Sequence, residues 1–259
     1  MRLQIVFLVL TFYLAGFAPM VSAHDKAELS GEQAYDERSI LQEWIAGKKV
    51  RLASVNRFGM ERCFVSLQIS DAIFKRMYKK SYKADCPIPR SELRYVKVLH
   101  YNLNHEICLG EIVCNQAIAN DLLEIFKTLF KAKYPIERMV LIDHYNADDE
   151  LSMQANNSSC FNFRRVSGSK KLSHHSTGRA IDINPKYNPM VKVRDGNILF
   201  SPKNAKSYMD RSANFPYKID RNDLCYKEFR KRGFIWGGAW KSVKDYQHFE
   251  KPAKNLSKE

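Results

Sequence analysis

"SHHSTGRAID", Ser173 to Asp182, is the densest group of metal-type side chains in a chain rich in lysine and arginine. In an extended strand, residues two apart point to the same face. Gly178, Ala180 and Asp182 therefore share a face, where two small residues leave room above it and Asp182 projects a carboxylate into that room. His175 lies just ahead, and a turn through Ser176, Thr177 and Gly178 returns its imidazole to the same space. One nitrogen and one oxygen donor make half a site, because a catalytic zinc takes three protein ligands and keeps a fourth position for water. Alone, such a pair is a weak signal and usually structural, an ordinary turn feeding a strand. The reading then depends on a third ligand elsewhere.

"DYQHFE", Asp245 to Glu250, supplies it. His248 is the only histidine after position 175, and Asp245 stands three residues before it. A hydrolase needs a carboxylate beside the attacking water as general base, so Asp182 and Asp245 divide the work: one binds metal and one moves protons. The other histidines carry no such pattern. His100, His105 and His144 sit at strand edges or in loops, and His174 is expected to be exposed or to support its neighbour. Glu250 alternates with His248 and either orients that imidazole or is a surface carboxylate, with the surface role favoured.

Ser173, His175, Gly178, Ala180 and Asp182 match the pattern S-x-H-x-x-G-x-A-x-D in full. Together with the terminal "WGGAWKSVKDYQHFE", the chain resembles the zinc peptidoglycan peptidases, which join VanY-type D-alanyl-D-alanine carboxypeptidases with L-alanyl-D-glutamate endopeptidases. The likeness runs from about Leu93 to Glu250 and includes "GEIVCN", "YPIERM", "NNSSCFNFR" and "AIDINPKYNP". It implies an α+β fold, a small antiparallel sheet with flanking helices, as in hedgehog-like and D-alanyl-D-alanine peptidase cores. It implies Zn2+ held by His175, Asp182 and His248, with Asp245 as general base. Arg164 in "FNFR" matches the family's arginine, whose planar fork suits an oxyanion or a substrate carboxylate; its bland alternative is an ion pair with Asp148-Asp149. Peptidoglycan stem peptides are the implied substrate. Aspartate rather than glutamate before the last histidine leans the resemblance towards L-alanyl-D-glutamate cleavage, with D-alanyl-D-alanine carboxypeptidase as the alternative. A non-catalytic wall-binding module, or a zinc hydrolase of another bond, are the remaining readings.

Compartment and partners follow from the rest of the chain. Met1-Arg2, an apolar run and "VSA" before His24 form a tripartite secretory signal, residues 1–23, cleaved after Ala23; an uncleaved anchor is the minority reading. The product is expected to be exported, periplasmic or envelope-associated, without a stable membrane span. The formal charge of +14 points to acidic partners such as wall carboxylates, and the scattered lysines argue against nucleic acid. The six cysteines lie outside the signal and permit disulfides without requiring them. We expect an N-terminal extension packed on the core at 24–92, the peptidase domain at 93–252 and a polar tail at 253–259; oligomeric state is left open. Periodicity predicts helices in "RSILQEWIAG", stopped at Gly47, in "SDAIFKRMYKKSYK", in "IANDLLEIFKTLFKAKY", ended by Pro135, and in "RNDLCYKEFRKRGF", capped by Asn222 or Asp220. Strands are expected in "RYVKVLHY", "RMVLIDHY", "GRAIDIN" and the two terminal pieces, with a long loop at Asn146–Arg164 and irregular chain from Lys192 to Asp220.

Overall fold

The computed structural model describes residues 36–166 and 171–253. The predicted signal and cleavage point, and the tail beyond 253, lie outside the described residues. No helix among the described residues is long and apolar enough to cross a membrane.

The frame is an antiparallel pair, β3 (Leu93–Tyr101) and β4 (Ile107–Asn115), joined over nine positions from Leu93 opposite Asn115 to Tyr101 opposite Ile107. Every residue of β4 is buried, so its sequence is a continuous run rather than an alternation, and Gly110 and Glu111 in its middle hide it from periodicity. Gly110 is needed there: a Cβ would sit 3.0 Å from the side chains of both His100 and Val98. β1 (Lys49–Val50) and β2 (Val65–Gln68) complete the sheet in the order β1-β4-β3-β2. Helix α1 (36–43) brings Ile40 and Leu41 into the core, with Trp44 just after it. It stops at Trp44, whose φ is 54°, ahead of Gly47, and Ile45 faces solvent. After α2 (Leu52–Phe58), α3 (Asp71–Met77) is capped by Ser70, whose Oγ accepts from Ile73 N–H.

Helix α4 (Gln116–Lys131) lays Ile118, Leu122, Ile125, Phe126 and Leu129 on the sheet, all buried. It ends before Pro135. Lys133 turns left-handed at φ 53°; its N–H reaches Phe130 O, and Tyr134 N–H reaches Leu129 O, both at 2.9 Å. That 5→2 and 6→1 pair closes the helix, and Pro135 merely follows it.

Three expectations are corrected. "RMVLIDHY" forms no strand, because the side chain of Asn157 takes both Val140 backbone groups, N–H at 2.9 Å and C=O at 3.0 Å, in place of a neighbouring ladder. Within the expected loop lies a helix, α5 (Asp149–Gln154), capped by Asp148, and Asn156, Asn157, Ser158 and Asn162 are buried. The stretch after Lys192 is not irregular: β6 (Met190–Arg194) and β7 (Asn197–Ser201) form a hairpin. Its turn is Asp195-Gly196, with φ of 51° and 76°, the two-residue turn this dipeptide favours.

The C-terminal half builds two three-stranded sheets. β5 (Ala180–Asp182), β10 (His248–Glu250) and β8 (Ile235–Trp236) run in the order β5-β10-β8; β9 (Lys244–Asp245) joins the hairpin as β7-β6-β9. Helix α6 (Leu224–Lys231) is capped by Asp223, not by Asn222 or Asp220; Asp220 instead accepts from Asn222 N–H at 2.8 Å, one turn earlier. Behind β10, Phe249 stacks on Phe229 of α6 at 4.3 Å between ring centroids. All six cysteines are free, and five of them are buried.

Candidate metal centre

β5 and β10 pair so that His248 lies opposite Asp182, Phe249 opposite Ile181 and Glu250 opposite Ala180. Directly opposed residues share a face. Phe249 and Ile181 thus enter the core, while His248 and Asp182 meet on the other side. His175 arrives from the turn His174–Thr177, which Ser173 caps by accepting the His175 N–H on its Oγ. Gly178 ends that turn at φ 67°, and a Cβ there would lie 2.7 Å from Asn115 N. Its own carbonyl accepts from Asn115 N–H at 2.8 Å. The glycine of the motif therefore lets the histidine turn dock on the end of β4.

The ligand-type atoms converge. His175 Nε2 is 3.2 Å from His248 Nδ1 and 3.2 Å from Asp182 Oδ2, and His248 Nδ1 is 3.0 Å from Asp182 Oδ1. A tetrahedron with bonds of ~2.0–2.1 Å has edges of about 3.3 Å, so these spacings suit one small cation.

Proton accounting leads to the same fit. His175 Nδ1 is 2.6 Å from Cys160 O, and a carbonyl only accepts, so Nδ1 carries the hydrogen. His248 Nε2 is 3.2 Å from Glu250 Oε2 and donates to it. In the neutral rings, Nε2 of His175 and Nδ1 of His248 then face each other as lone pairs, with a carboxylate beside them. A cation satisfies all three. Without one, a proton does so. Burial pushes the His248 imidazole down, yet hydrogen bonds to Asp182 and Glu250 outweigh it and raise its pKa to about 10. Burial likewise pushes the Asp182 carboxyl up, but the neighbouring His175 and His248 carry it well below the usual carboxylate range.

Asp245 is set apart from this trio. Burial pushes its carboxyl up to about 6, against the pull of His248, and its buried Oδ1 has no protein partner. The neighbouring Gln247 side chain pulls the same carboxyl down. The preceding "WGG" makes room: a Cβ on Gly237 would fall 2.7 Å from Asp245 O and 3.3 Å from His248 Cβ.

Arg164 is not brought onto the cluster. Its guanidinium pairs with Asp149, the bland alternative, with Asp148 left to cap α5. The backbone of Arg164 is nevertheless stitched to the histidine turn, accepting from Ser173 N–H at 3.0 Å and Ser176 Oγ at 2.6 Å. Glu250 departs from its favoured surface role: it is buried and holds His248. Its alternation with His248 was the available signal. Gln247 and the Cys160 carbonyl left none, because their contacts depend on how distant segments cross.

Residues 167–251 match the family model described as D-alanyl-D-alanine carboxypeptidase. That segment is thus similar to a peptidase family, and it holds His175, Asp182, Asp245 and His248 but neither Arg164 nor the four-stranded sheet. No curated protein and no solved structure matches the chain.

Proposed function

We propose that the protein is a zinc peptidase of peptidoglycan stem peptides, acting outside the cytoplasm. The observation that carries this reading is the convergence of two imidazole lone pairs and a carboxylate at 3.0–3.2 Å, each imidazole fixed from behind. His175, Asp182 and His248 hold the ion. When bound, zinc supplies Lewis acidity to the scissile carbonyl and makes a water acidic enough to attack near neutral pH. Asp245 takes the proton from that water and returns it to the leaving amine. In the metal-free site burial raises this carboxyl to about 6, towards the range that a general base working near neutral pH needs. Arg164 is suited to the oxyanion of the tetrahedral intermediate, and its pairing with Asp149 means it must be released or re-aimed when substrate arrives.

The bond we propose is L-alanyl-D-glutamate, inside the stem. Cutting a terminal D-alanine requires a cation for the free carboxylate, and Arg164, once released from Asp149, would have to serve both that carboxylate and the oxyanion. The family match over 167–251 favours a second reading, D-alanyl-D-alanine carboxypeptidase. Digestion of defined pentapeptide muropeptides, followed by mass spectrometry with and without a chelator, tests both. Release of the stem beyond L-alanine, lost on chelation, is the expected result. Loss of a single D-alanine selects the second reading, and no product with zinc present defeats both.

A further inference from the structure

The histidine doublet has one member unused by the reaction. His174, 58% exposed at its side chain, sits with Nδ1 3.1 Å from Glu250 Oε2, the same oxygen that accepts from His248 Nε2 at 3.2 Å. Glu250 itself is 7% exposed, so its carboxylate is withdrawn from water and held by two ring N–H groups. Ala180 lies opposite Glu250 in the strand register and is fully buried.

The consequence is a closed circuit. His175 points Nε2 into the cluster; one residue earlier, His174 turns outward and fastens Glu250; Glu250 holds the far nitrogen of His248; and His248 presents Nδ1 back to His175. An imidazole free to flip offers either nitrogen. Fixing a donor on Nε2 leaves Nδ1 as the lone pair and sets the plane of the ring. We propose that His174 and Glu250 are positioning residues, a strap that locks the second ligand histidine in its metal-binding orientation. Adjacent histidines in the sequence thus grip the centre from two sides. The inference rests on the zinc reading above, and it adds two residues to the three that hold the ion.

The test is zinc affinity, by competition with a chromogenic chelator, for the whole protein and for Glu250→Ala, Glu250→Gln and His174→Ala. Nitrogen NMR of the cadmium-loaded protein identifies which ring nitrogen carries the metal. Loss of an outer partner of this kind weakens metal binding by about 10–100-fold, and that is the loss expected for Glu250→Ala. Glu250→Gln keeps an acceptor for Nε2–H, so it should fall between wild type and alanine. His174→Ala should weaken binding less than Glu250→Ala, with His248 still bound through Nδ1. Thermal unfolding in chelator checks that each variant folds, and Glu250→Gln keeps the test open if the alanine variant does not. Wild-type affinity in folded Glu250→Ala and Glu250→Gln, with coordination still through Nδ1, overturns the strap alone. A wild-type protein that takes up no zinc sinks the zinc reading and the strap with it.

Discussion

Asp245 and the three clustered side chains differ in what surrounds them, and so they should fail differently. Asp182 lies between two imidazoles that hold it ionised. Asp245 has an oxygen with no partner and a carboxyl raised to about 6. Asp245→Asn keeps the shape and removes the base, so zinc content should persist while turnover falls by about a hundredfold or more. Metal analysis beside a rate measurement checks it; loss of zinc in this variant, with retention in Asp182→Asn, means the two roles are exchanged. The same site makes a pH prediction. In the metal-free protein the folded-state pKa of His248 is about 10, above an unfolded value of about 6.5. Its stabilising contribution is therefore complete below about pH 6.5 and is lost as pH climbs towards 10. Zinc replaces that proton, so uptake at neutral pH should release it. Urea unfolding in chelator should show lower stability at about pH 9 than at about pH 7. Titration calorimetry in buffers of different ionisation heat should detect the proton on zinc binding, and its absence refutes the protonated metal-free centre.

Elements were legible where one face meets the core and opaque where side chains replace the backbone ladder. Helix α4 shows its period plainly because its buried face is one stripe on one sheet. The hairpin β6–β7 is marked in the sequence only by Asp195-Gly196, because its flanking residues are largely exposed and lack a clean alternation. Segment 138–142 reads as a strand by composition, yet at its centre Asn157, distant in the turn after α5, supplies both partners of Val140. No window of local sequence reveals that. Asn157→Ala should therefore strand two buried groups of Val140 and cost about 1–3 kcal/mol apiece at most, read as a lower midpoint in urea. An unchanged midpoint would show that the segment finds other partners. Gly178 is similarly placed: Gly178→Ala meets both a positive φ and the Asn115 backbone, so it should lower thermal stability and zinc affinity together.

At the scale of the molecule, the proposed metal centre lies in the C-terminal half but leans on the sheet built by the N-terminal half. The matched segment 167–251 holds the three candidate ligands, but the turn that carries His175 docks on Asn115, and Phe161 N–H reaches Val113 O at 3.0 Å. The centre therefore leans on β4, and β4 leans on chain before residue 93. β1 borders β4, and β2 borders β3. Trp44 donates its indole N–H to Gly110 O at 3.0 Å. Glu111, 1% exposed in the middle of β4, is paired with Arg76 of α3 and accepts from Tyr95 OH at 2.6 Å. A carboxylate buried that deeply is costly once its cation is gone, by about 3–5 kcal/mol. That is a large share of a domain's net stability of ~5–15 kcal/mol, before the two lost edge strands are considered. A chain trimmed to residues 93–259 should for that reason fail to fold: no cooperative thermal transition, and no stoichiometric zinc. Arg76→Met in the full chain isolates the charge, and should destabilise it while leaving the ligands in place. Cooperative unfolding and full zinc binding by the trimmed chain would instead make residues 24–92 a dispensable extension.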